Sequence, residues 1–142
     1  MCVKIIDREV FKNETQKALL SNEIKCQQKL ESDFIIGIYD VYDTNSFCFV
    51  ITELCEDGDL FKLIQYSRFG LPERLVIRLA KNLAQALLTM KQNKIIHRDI
   101  KSENILLTHG IAKLGDFGFA IEEKNLQERE QFSIGSPLYM PL

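Results

Sequence analysis

Two short polar segments of the chain hold the residues whose types are best suited to chemistry. Residues 97–104 read His-Arg-Asp-Ile-Lys-Ser-Glu-Asn, and an Asp-Phe-Gly triplet begins at Asp116, twelve residues beyond Asn104 (116 − 104 = 12). Far upstream, Lys4 lies inside an apolar run and Glu23 lies near the apolar side of a helix-forming stretch. Carboxylates, amines and an amide are the groups that a site for metal ions and phosphate needs.

The first segment matches the protein-kinase signature H-R-D-L-x-x-x-N at every fixed position except Ile100, which stands for Leu. The triplet at Asp116 matches the D-F-G motif of the same proteins. Their order and spacing are more specific than either motif alone, so the chain resembles the eukaryotic protein kinases. Phosphoryl transfer requires the terminal phosphate, the metal ions and the attacking hydroxyl to be held in line while negative charge is neutralised.

The resemblance implies a role for each polar residue of these two segments. Asp99 would orient the substrate hydroxyl and accept its proton, and Lys101 would reach the transferred phosphate. Asn104 and Asp116 would hold Mg²⁺, and ATP would be the phosphate donor. We expect the substrates to be proteins.

The upstream lysine and glutamate resemble the ion pair of the kinase family. Lys4 would contact the nucleotide phosphates and Glu23 would be its partner; their separation of 23 − 4 = 19 residues crosses from a strand to a helix. Taken alone, Lys4 is better interpreted as an edge-strand lysine and Glu23 as a solvated helix residue, and only the downstream motifs favour the pair.

An adenine site follows from the same resemblance, because residues 47–55 are similar to the strand that enters the kinase hinge. Thr52 then takes the gatekeeper position. The expected nucleotide contacts are the backbone of Glu53 and Cys55, the ribose-side carboxylate of Asp59, Cys2 as the roof of the adenine slot and Leu106 as its floor.

Two features indicate a serine/threonine kinase rather than a tyrosine kinase: Lys101 in the catalytic loop, and the stretch Gly-Ser-Pro-Leu-Tyr-Met around Ser136, which resembles the Unc-51-like autophagy-initiating kinases. Ser136 would face the acceptor site. Arg98 would pair with a phosphate on the activation loop, with Ser133 as the best-placed acceptor and an upstream kinase as partner, although Ser133 is equally well a plain loop serine.

Hydrophobic periodicity and turn residues predict the elements that position these segments. Predicted strands cover residues 2–7, 34–42 and 46–54, and a small hairpin covers 105–107 and 111–114. Predicted helices cover 10–30, a short stretch after Asp59, and a long amphipathic stretch that begins at Pro72. Residues 122–131 are predicted to form a charged loop.

Composition limits the other functions that the chain could have. Eighteen basic against 20 acidic residues give a formal charge of −2, so we expect no nucleic-acid partner. No apolar run reaches the roughly 18 residues of a membrane span, and the first residues lack a signal peptide's apolar core. The four cysteines form no CxxC pair and are interpreted as reduced thiols. These features predict a cytoplasmic or nuclear protein that is not secreted.

The expected fold class is α+β, a two-lobed protein-kinase-like fold that is incomplete at both ends. Residues 1–54 would form part of the small lobe, 55–58 the linker, and 59–142 the start of the large lobe. The family's glycine-rich loop and later large-lobe helices are not among these residues, so negligible activity is expected of the chain alone, and part of the long helix's apolar stripe would face water. A truncated binding or regulatory module without catalysis is the alternative, and an unrelated nucleotide-binding or structural domain a more distant one. Gln27, where the family usually has an apolar residue, is expected to weaken packing.

Overall fold

A computed structural model describes residues 1–10, 14–125 and 136 of the chain. Its first part is a three-stranded antiparallel sheet of strand order β1-β3-β2, with β1 at Cys2–Asp7, β2 at Ile38–Asp43 and β3 at Phe47–Thr52. The central strand β3 places Cys48 and Val50 in the interior, while Val3 and Ile5 of β1 remain exposed. The register pairs Lys4 with Val50, which fixes the lysine in the middle of β1.

Helix α1 spans Glu14–Gln28 and follows a 3-10 turn at Arg8–Val10. It ends two residues before the predicted stretch 10–30 does. Val10, where that stretch begins, belongs instead to the 3-10 turn, and the Arg8 N–H of this turn donates to the Ser46 carbonyl at 2.8 Å. Of the side chains from 17 to 28, Cys26 and Gln27 are buried and the rest are exposed or half-buried.

The strand predicted at 34–42 is regular only from Ile38 onward. Residues 34–36 instead pair with the second part of the molecule: the Ile36 N–H donates to the Leu114 carbonyl at 3.0 Å, and the Leu114 N–H donates to the Phe34 carbonyl at 2.9 Å. Gly37, which follows, accepts a hydrogen bond from the Glu53 N–H at 3.0 Å. The segment therefore connects two sheets rather than extending one, which the alternation of side chains could not reveal.

The helical part contains α2 at Leu60–Tyr66 and α3 at Glu73–Gln92. Asp59 caps α2, and the fixed backbone of Pro72 precedes the first residue of α3. Helix α3 buries Leu79, Ala86 and Met90. The predicted exposure of its apolar stripe is confirmed, since several of its large side chains are 38–48% exposed: Val76, Ile77, Leu87 and Leu88.

Short strands and turns on the surface of α3 carry the polar segments. Strand β4 (Ile95–Ile96) pairs with β7 (Ile121–Glu122), and β5 (Ile105–Thr108) pairs with β6 (Ile111–Leu114) as the predicted hairpin. The start of the predicted charged loop thus forms β7 and a 3-10 turn at Glu123–Asn125, and residues 126–131 lie outside the described residues.

One core joins the two parts of the molecule. Its largest fully buried side chain is Phe117, at 0% exposure. The cluster draws on α1, the connecting segment, α3 and the short strands; its members are Cys26, Leu30, Ile35, Leu79, Ala86, Met90, Ile95, Ile105, Leu107, Ala112, Leu114, Phe117 and Ala120. All four cysteines are free thiols. Within the described ranges, no helix has the length and apolarity needed to cross a membrane.

Candidate active site

A buried histidine, His97, fixes the conformation of the loop between β4 and β5. His97 is 2% exposed, and its Nε2 lies 3.0 Å from the Gly115 carbonyl oxygen while its Nδ1 lies 3.3 Å from the Asp99 backbone nitrogen. A carbonyl can only accept and an N–H can only donate, so both bonds form in the neutral tautomer with hydrogen on Nε2. Burial lowers the pKa of His97, against the opposing effect of the Gly115 bond, and so favours that neutral form.

The Asp99 carboxylate is the most densely hydrogen-bonded group of the loop. Asp99 is 3% exposed, and its Oδ2 accepts from Lys101 Nζ at 2.8 Å and from Asn104 Nδ2 at 3.1 Å. Its Oδ1 accepts from the Ser136 hydroxyl at 2.8 Å and from the Ser136 N–H at 3.0 Å. Asn104 Nδ2 also donates to the Asp99 carbonyl at 2.8 Å. These contacts fix the direction of both carboxylate oxygens.

Asp99 is therefore ionised although it is buried. Burial by itself raises the pKa of the carboxyl, but the hydrogen bonds to its oxygens, that from Lys101 first, outweigh burial and bring the pKa below its ordinary value. The same contact raises the pKa of Lys101. Lys101 Nζ also donates to the Ser136 hydroxyl oxygen at 2.9 Å, so a hydroxyl lies between a carboxylate and an ammonium group.

The Asp-Phe-Gly triplet continues from β6 into a tight turn. Asp116 has a backbone φ of 57°, in the left-handed region that is costly for residues other than glycine, and its Oδ1 accepts from the Gly118 N–H at 3.4 Å. Phe117 packs on the ring of His97, with centroids 4.8 Å apart. Arg98, with a φ of 69°, donates through Nε to the Phe119 carbonyl at 2.7 Å, so the two loops are bonded to each other.

The residues present fit a magnesium ion by their chemistry. The amide nitrogen of Asn104 is bonded to Asp99, so its amide oxygen is the atom suited to a metal, and Asp116 supplies an exposed carboxylate. In the described part of the chain no cluster of three or more His, Cys, Asp or Glu side chains is arranged for a metal. Mg²⁺ commonly takes one or two protein oxygens and completes its shell with phosphates and water, so this sparse set suits it.

The predicted pairing of Lys4 with Glu23 is present, with Lys4 Nζ 2.9 Å from Glu23 Oε1. The lysine side chain is 53% exposed and that of the glutamate 16%. A Cβ placed on Gly118 would lie 3.7 Å from Glu23 Oε2 and 3.3 Å from Asp116 Oδ1. The ion pair thus lies beside the turn that carries Asp116.

The predicted adenine contacts are placed on two different sheets. Cys2 is exposed on β1 opposite Thr52, and Leu106 is half-buried on β5 with a bridge to Asp59. The Glu53 N–H is bonded to the Gly37 carbonyl, and its carboxylate lies 2.8 Å from Lys113 Nζ. Burial is the main cause that raises the pKa of the half-buried Cys55 thiol, which favours its neutral form. The slot itself stays a prediction.

Asp59 has a structural role that the sequence analysis did not assign. Its carboxylate accepts from the Lys62 N–H at 2.8 Å as the cap of α2, and Lys62 Nζ lies 3.4 Å away. The contact with ribose that was expected of Asp59 stays a prediction.

The expectation that Gln27 weakens packing is not supported by its surroundings. The side chain is 8% exposed, and its Nε2 donates to the Ile36 carbonyl at 2.7 Å. A buried amide with a partner avoids the cost of an unsatisfied polar group, and this one ties α1 to the connecting segment. Ser133, the predicted regulatory serine, lies outside the described residues.

Three contacts between distant polar groups were missed by the sequence analysis. Asn22 Nδ2 donates to the Ala120 carbonyl at 2.7 Å, Lys29 Nζ lies 2.6 Å from Glu122 Oε1, and the third is the Lys113–Glu53 ion pair. Each joins residues 60 or more positions apart. Lys113 in an otherwise apolar strand was the one available signal, of the same kind as Lys4.

A small sheet with its paired lysine and glutamate, set against a helical part that carries the Asp99 loop, is the architecture of protein kinases. The sequence model of the family described as the protein kinase domain matches residues 1–141 of the chain. The chain therefore belongs to that family. The fold class expected from the sequence is thereby confirmed.

The individual relatives that the chain matches are serine/threonine kinases. It is 36% identical, over 97% of its residues, to the serine/threonine-protein kinase atg1 of Dictyostelium discoideum, and 36% identical, over 92%, to the serine/threonine-protein kinase ULK3 of Xenopus laevis. It is 31% identical, over 92%, to the serine/threonine-protein kinase PAK 4 of Homo sapiens. The chain covers 22%, 29% and 22% of those proteins, so it spans about a fifth to three tenths of their length. The predicted similarity to the Unc-51-like group is confirmed.

Proposed function

We propose that the protein transfers the terminal phosphate of ATP to serine or threonine hydroxyls of other proteins. The observation that carries this proposal is the hydroxyl oxygen of Ser136, held 2.8 Å from Asp99 Oδ1 and 2.9 Å from Lys101 Nζ. The site can thus hold an aliphatic hydroxyl between a general base and a cation. Membership in the protein kinase family and the names of the relatives support the same reaction.

In the proposed reaction the substrate hydroxyl takes the place beside Asp99 that the Ser136 hydroxyl occupies. Its oxygen forms the bond to the terminal phosphorus of ATP, the bond from that phosphorus to the bridging oxygen breaks, and the hydroxyl proton passes to Asp99. Lys101, whose raised pKa keeps it charged, neutralises charge on the transferred phosphate.

Nucleotide and metal are held by the remaining polar groups. Lys4, oriented by Glu23, would bind the nucleotide phosphates, and the oxygens of Asn104 and Asp116 would bind Mg²⁺. The metal, when bound, neutralises and orients the phosphate oxygens.

A cytoplasmic or nuclear location is part of the proposal, supported by four free thiols that a reducing compartment would maintain.

The test is phosphate transfer from ATP to a generic basic protein by the whole protein, followed by identification of the phosphorylated residues, because negligible transfer is expected of the 142-residue chain alone. Asp99→Asn removes the base and should lower the transfer rate by about 100-fold or more. Asp40→Asn makes the same chemical change at an exposed position of β2 and should leave the rate unchanged. Equal rates for Asp99→Asn and the unaltered protein, or phosphate on tyrosine alone, would refute the proposal. Nucleotide binding without transfer would favour the binding module.

A further inference from the structure

Helix α1 is fastened to the segment after the Asp-Phe-Gly triplet at two points. Asn22 Nδ2 donates to the carbonyl of Ala120, which is 1% exposed, at 2.7 Å. Lys29, just beyond the last helical residue, has its Nζ 2.6 Å from Glu122 Oε1 on β7. The two positions are seven residues apart, about the length of two helical turns, and both reach residues 120–122.

Glu23 is the neighbour of Asn22 and depends on where α1 lies. Its bond to Lys4 is an ion pair with a half-exposed lysine, and exposed pairs contribute little to holding two elements together. The Lys29–Glu122 pair is exposed to a similar degree, so the Asn22 bond to the buried Ala120 carbonyl is the firmer of the two contacts of α1. Helix α1 is also sparsely buried: among the side chains from 17 to 28, Cys26 and Gln27 are the buried ones. Polar contacts to the rest of the molecule therefore contribute much of what fixes the position of α1.

We propose that Asn22 and Lys29 are positioning residues, which hold α1 against residues 120–122 and so keep Glu23 bonded to Lys4. The proposal rests on the proposed function for its effect on phosphate transfer, but the contacts themselves are independent of it. Cys26 Sγ lies 3.9 Å from Asn22 Oδ1, which orients the amide with its nitrogen toward the Ala120 carbonyl.

The second contact, between Lys29 and Glu122, is an ion pair that depends on the charge of both groups. Glu122 accepts from both Lys29 and Lys124, and these two bonds lower its pKa to about 2. Glu122 is therefore charged at any pH at which the protein would act, and loss of the Lys29 ammonium would leave it with Lys124 on its own segment. The link between α1 and β7 would be lost while the charge on β7 stayed paired.

The test compares three lysine variants and one asparagine variant. Lys29→Met removes the ammonium, Lys29→Arg keeps a cation at the same place, and Lys25→Met makes the same change on an exposed part of the same helix. Asn22→Asp keeps the shape but turns a donor into an acceptor that faces the Ala120 carbonyl. The readouts are kcat and KM for ATP, affinity for a fluorescent ATP analogue, and amide hydrogen exchange in α1 and at residues 120–122.

We expect Asn22→Asp to lower kcat/KM by roughly five- to tenfold, the size of one lost hydrogen bond, and Lys29→Met by roughly two- to fivefold, the size of one exposed ion pair. Both should weaken binding of the analogue and speed exchange at residues 120–122. The midpoint of unfolding should stay within the range of the control in Lys29→Met and fall in Asn22→Asp, which removes the donor to the buried Ala120 carbonyl. Lys29→Arg should restore the values and Lys25→Met should not change them. A merely structural role would lower kcat with the folded fraction and leave KM unchanged, and that result would overturn the inference.

The two proposals fail separately. If the unaltered protein transfers phosphate and all four variants behave alike, the positioning role is wrong and the proposed function stands. If the unaltered protein transfers none, hydrogen exchange decides: faster exchange at residues 120–122 in Lys29→Met but not in Lys25→Met supports the positioning role, and equal exchange refutes it.

Discussion

Replacement of Asn104 by aspartate tests whether Asp99 depends on a neighbouring amide. The Asn104 nitrogen donates to Asp99 Oδ2 at 3.1 Å and to the Asp99 carbonyl at 2.8 Å, in a site where both residues are nearly inaccessible to solvent. In Asn104→Asp a carboxylate oxygen would take the place of the donor. Two unit charges 3.1 Å apart repel by about 5 kcal/mol at an effective dielectric constant of 20, an upper value because Lys101 lies beside them.

Proton binding can relieve this repulsion in the variant, and it determines whether the stability of the variant rises or falls with pH. One proton shared by the two carboxyls would restore a donor, so the folded protein would bind a proton that the unfolded chain releases. The pair's folded pKa is then raised above its unfolded value, and stability present at low pH is lost as pH rises. While the folded form alone holds the proton, the free energy of unfolding should fall by about 1.4 kcal/mol per pH unit.

The assay is urea unfolding followed by circular dichroism at several pH values between 5 and 8. The control is Asn82→Asp: the Asn82 oxygen accepts from the Ala112 N–H at 3.1 Å, and a carboxylate can accept the same bond. We expect the stability of Asn104→Asp relative to the unaltered protein to decline with pH, and that of Asn82→Asp to stay level. Equal, pH-independent stability of Asn104→Asp would show that the amide does not hold Asp99.

Three further predictions concern the surroundings of the site. Phe117→Ala removes a ring that is 0% exposed and should lower the free energy of unfolding by about 3–5 kcal/mol in urea titrations. Gly110→Ala should cost about 1–2 kcal/mol in the same assay, because φ is 74° and the new methyl would lie 3.2 Å from Arg78 Nη2. The Glu122 carboxyl should titrate by NMR at about 2, and closer to its usual 4.5 in Lys29→Met; its contribution to stability is present above pH 4.5 and disappears as pH falls toward 2.

The sequence was sufficient where chemistry and local geometry coincide. Asn104 is five residues from Asp99, and a 3-10 turn at Ser102–Asn104 returns its amide to that carboxylate. Lys4 and Glu23 were paired correctly because the downstream motifs indicated the kinase family, in which a strand lysine and a helix glutamate form an ion pair. The spacing of the motifs thus predicted the site residues, and the resemblance to the kinase family predicted the fold.

The sequence could not predict the contacts between surface charges that lie far apart along the chain. Lys29 and Glu122 are 93 positions apart, and each lies in a stretch rich in lysine and glutamate, where a paired charge looks the same as a solvated one. Gln27 was misjudged for a related reason: the cost of a buried amide depends on its partner, and the Ile36 carbonyl becomes available only because residues 34–36 leave the sheet.

Backbone conformation at the site shows why its geometry depends on the whole fold. Arg98 and Asp116 both have positive φ, although neither is glycine, and each such residue costs about 1–2 kcal/mol. A bond between the two loops opposes this cost at Arg98, which donates to the Phe119 carbonyl, whereas Asp116 accepts locally from the Gly118 N–H within its own turn, beside the buried Phe117. The conformation of the loop that carries the proposed base therefore depends on the segment that follows the Asp-Phe-Gly triplet.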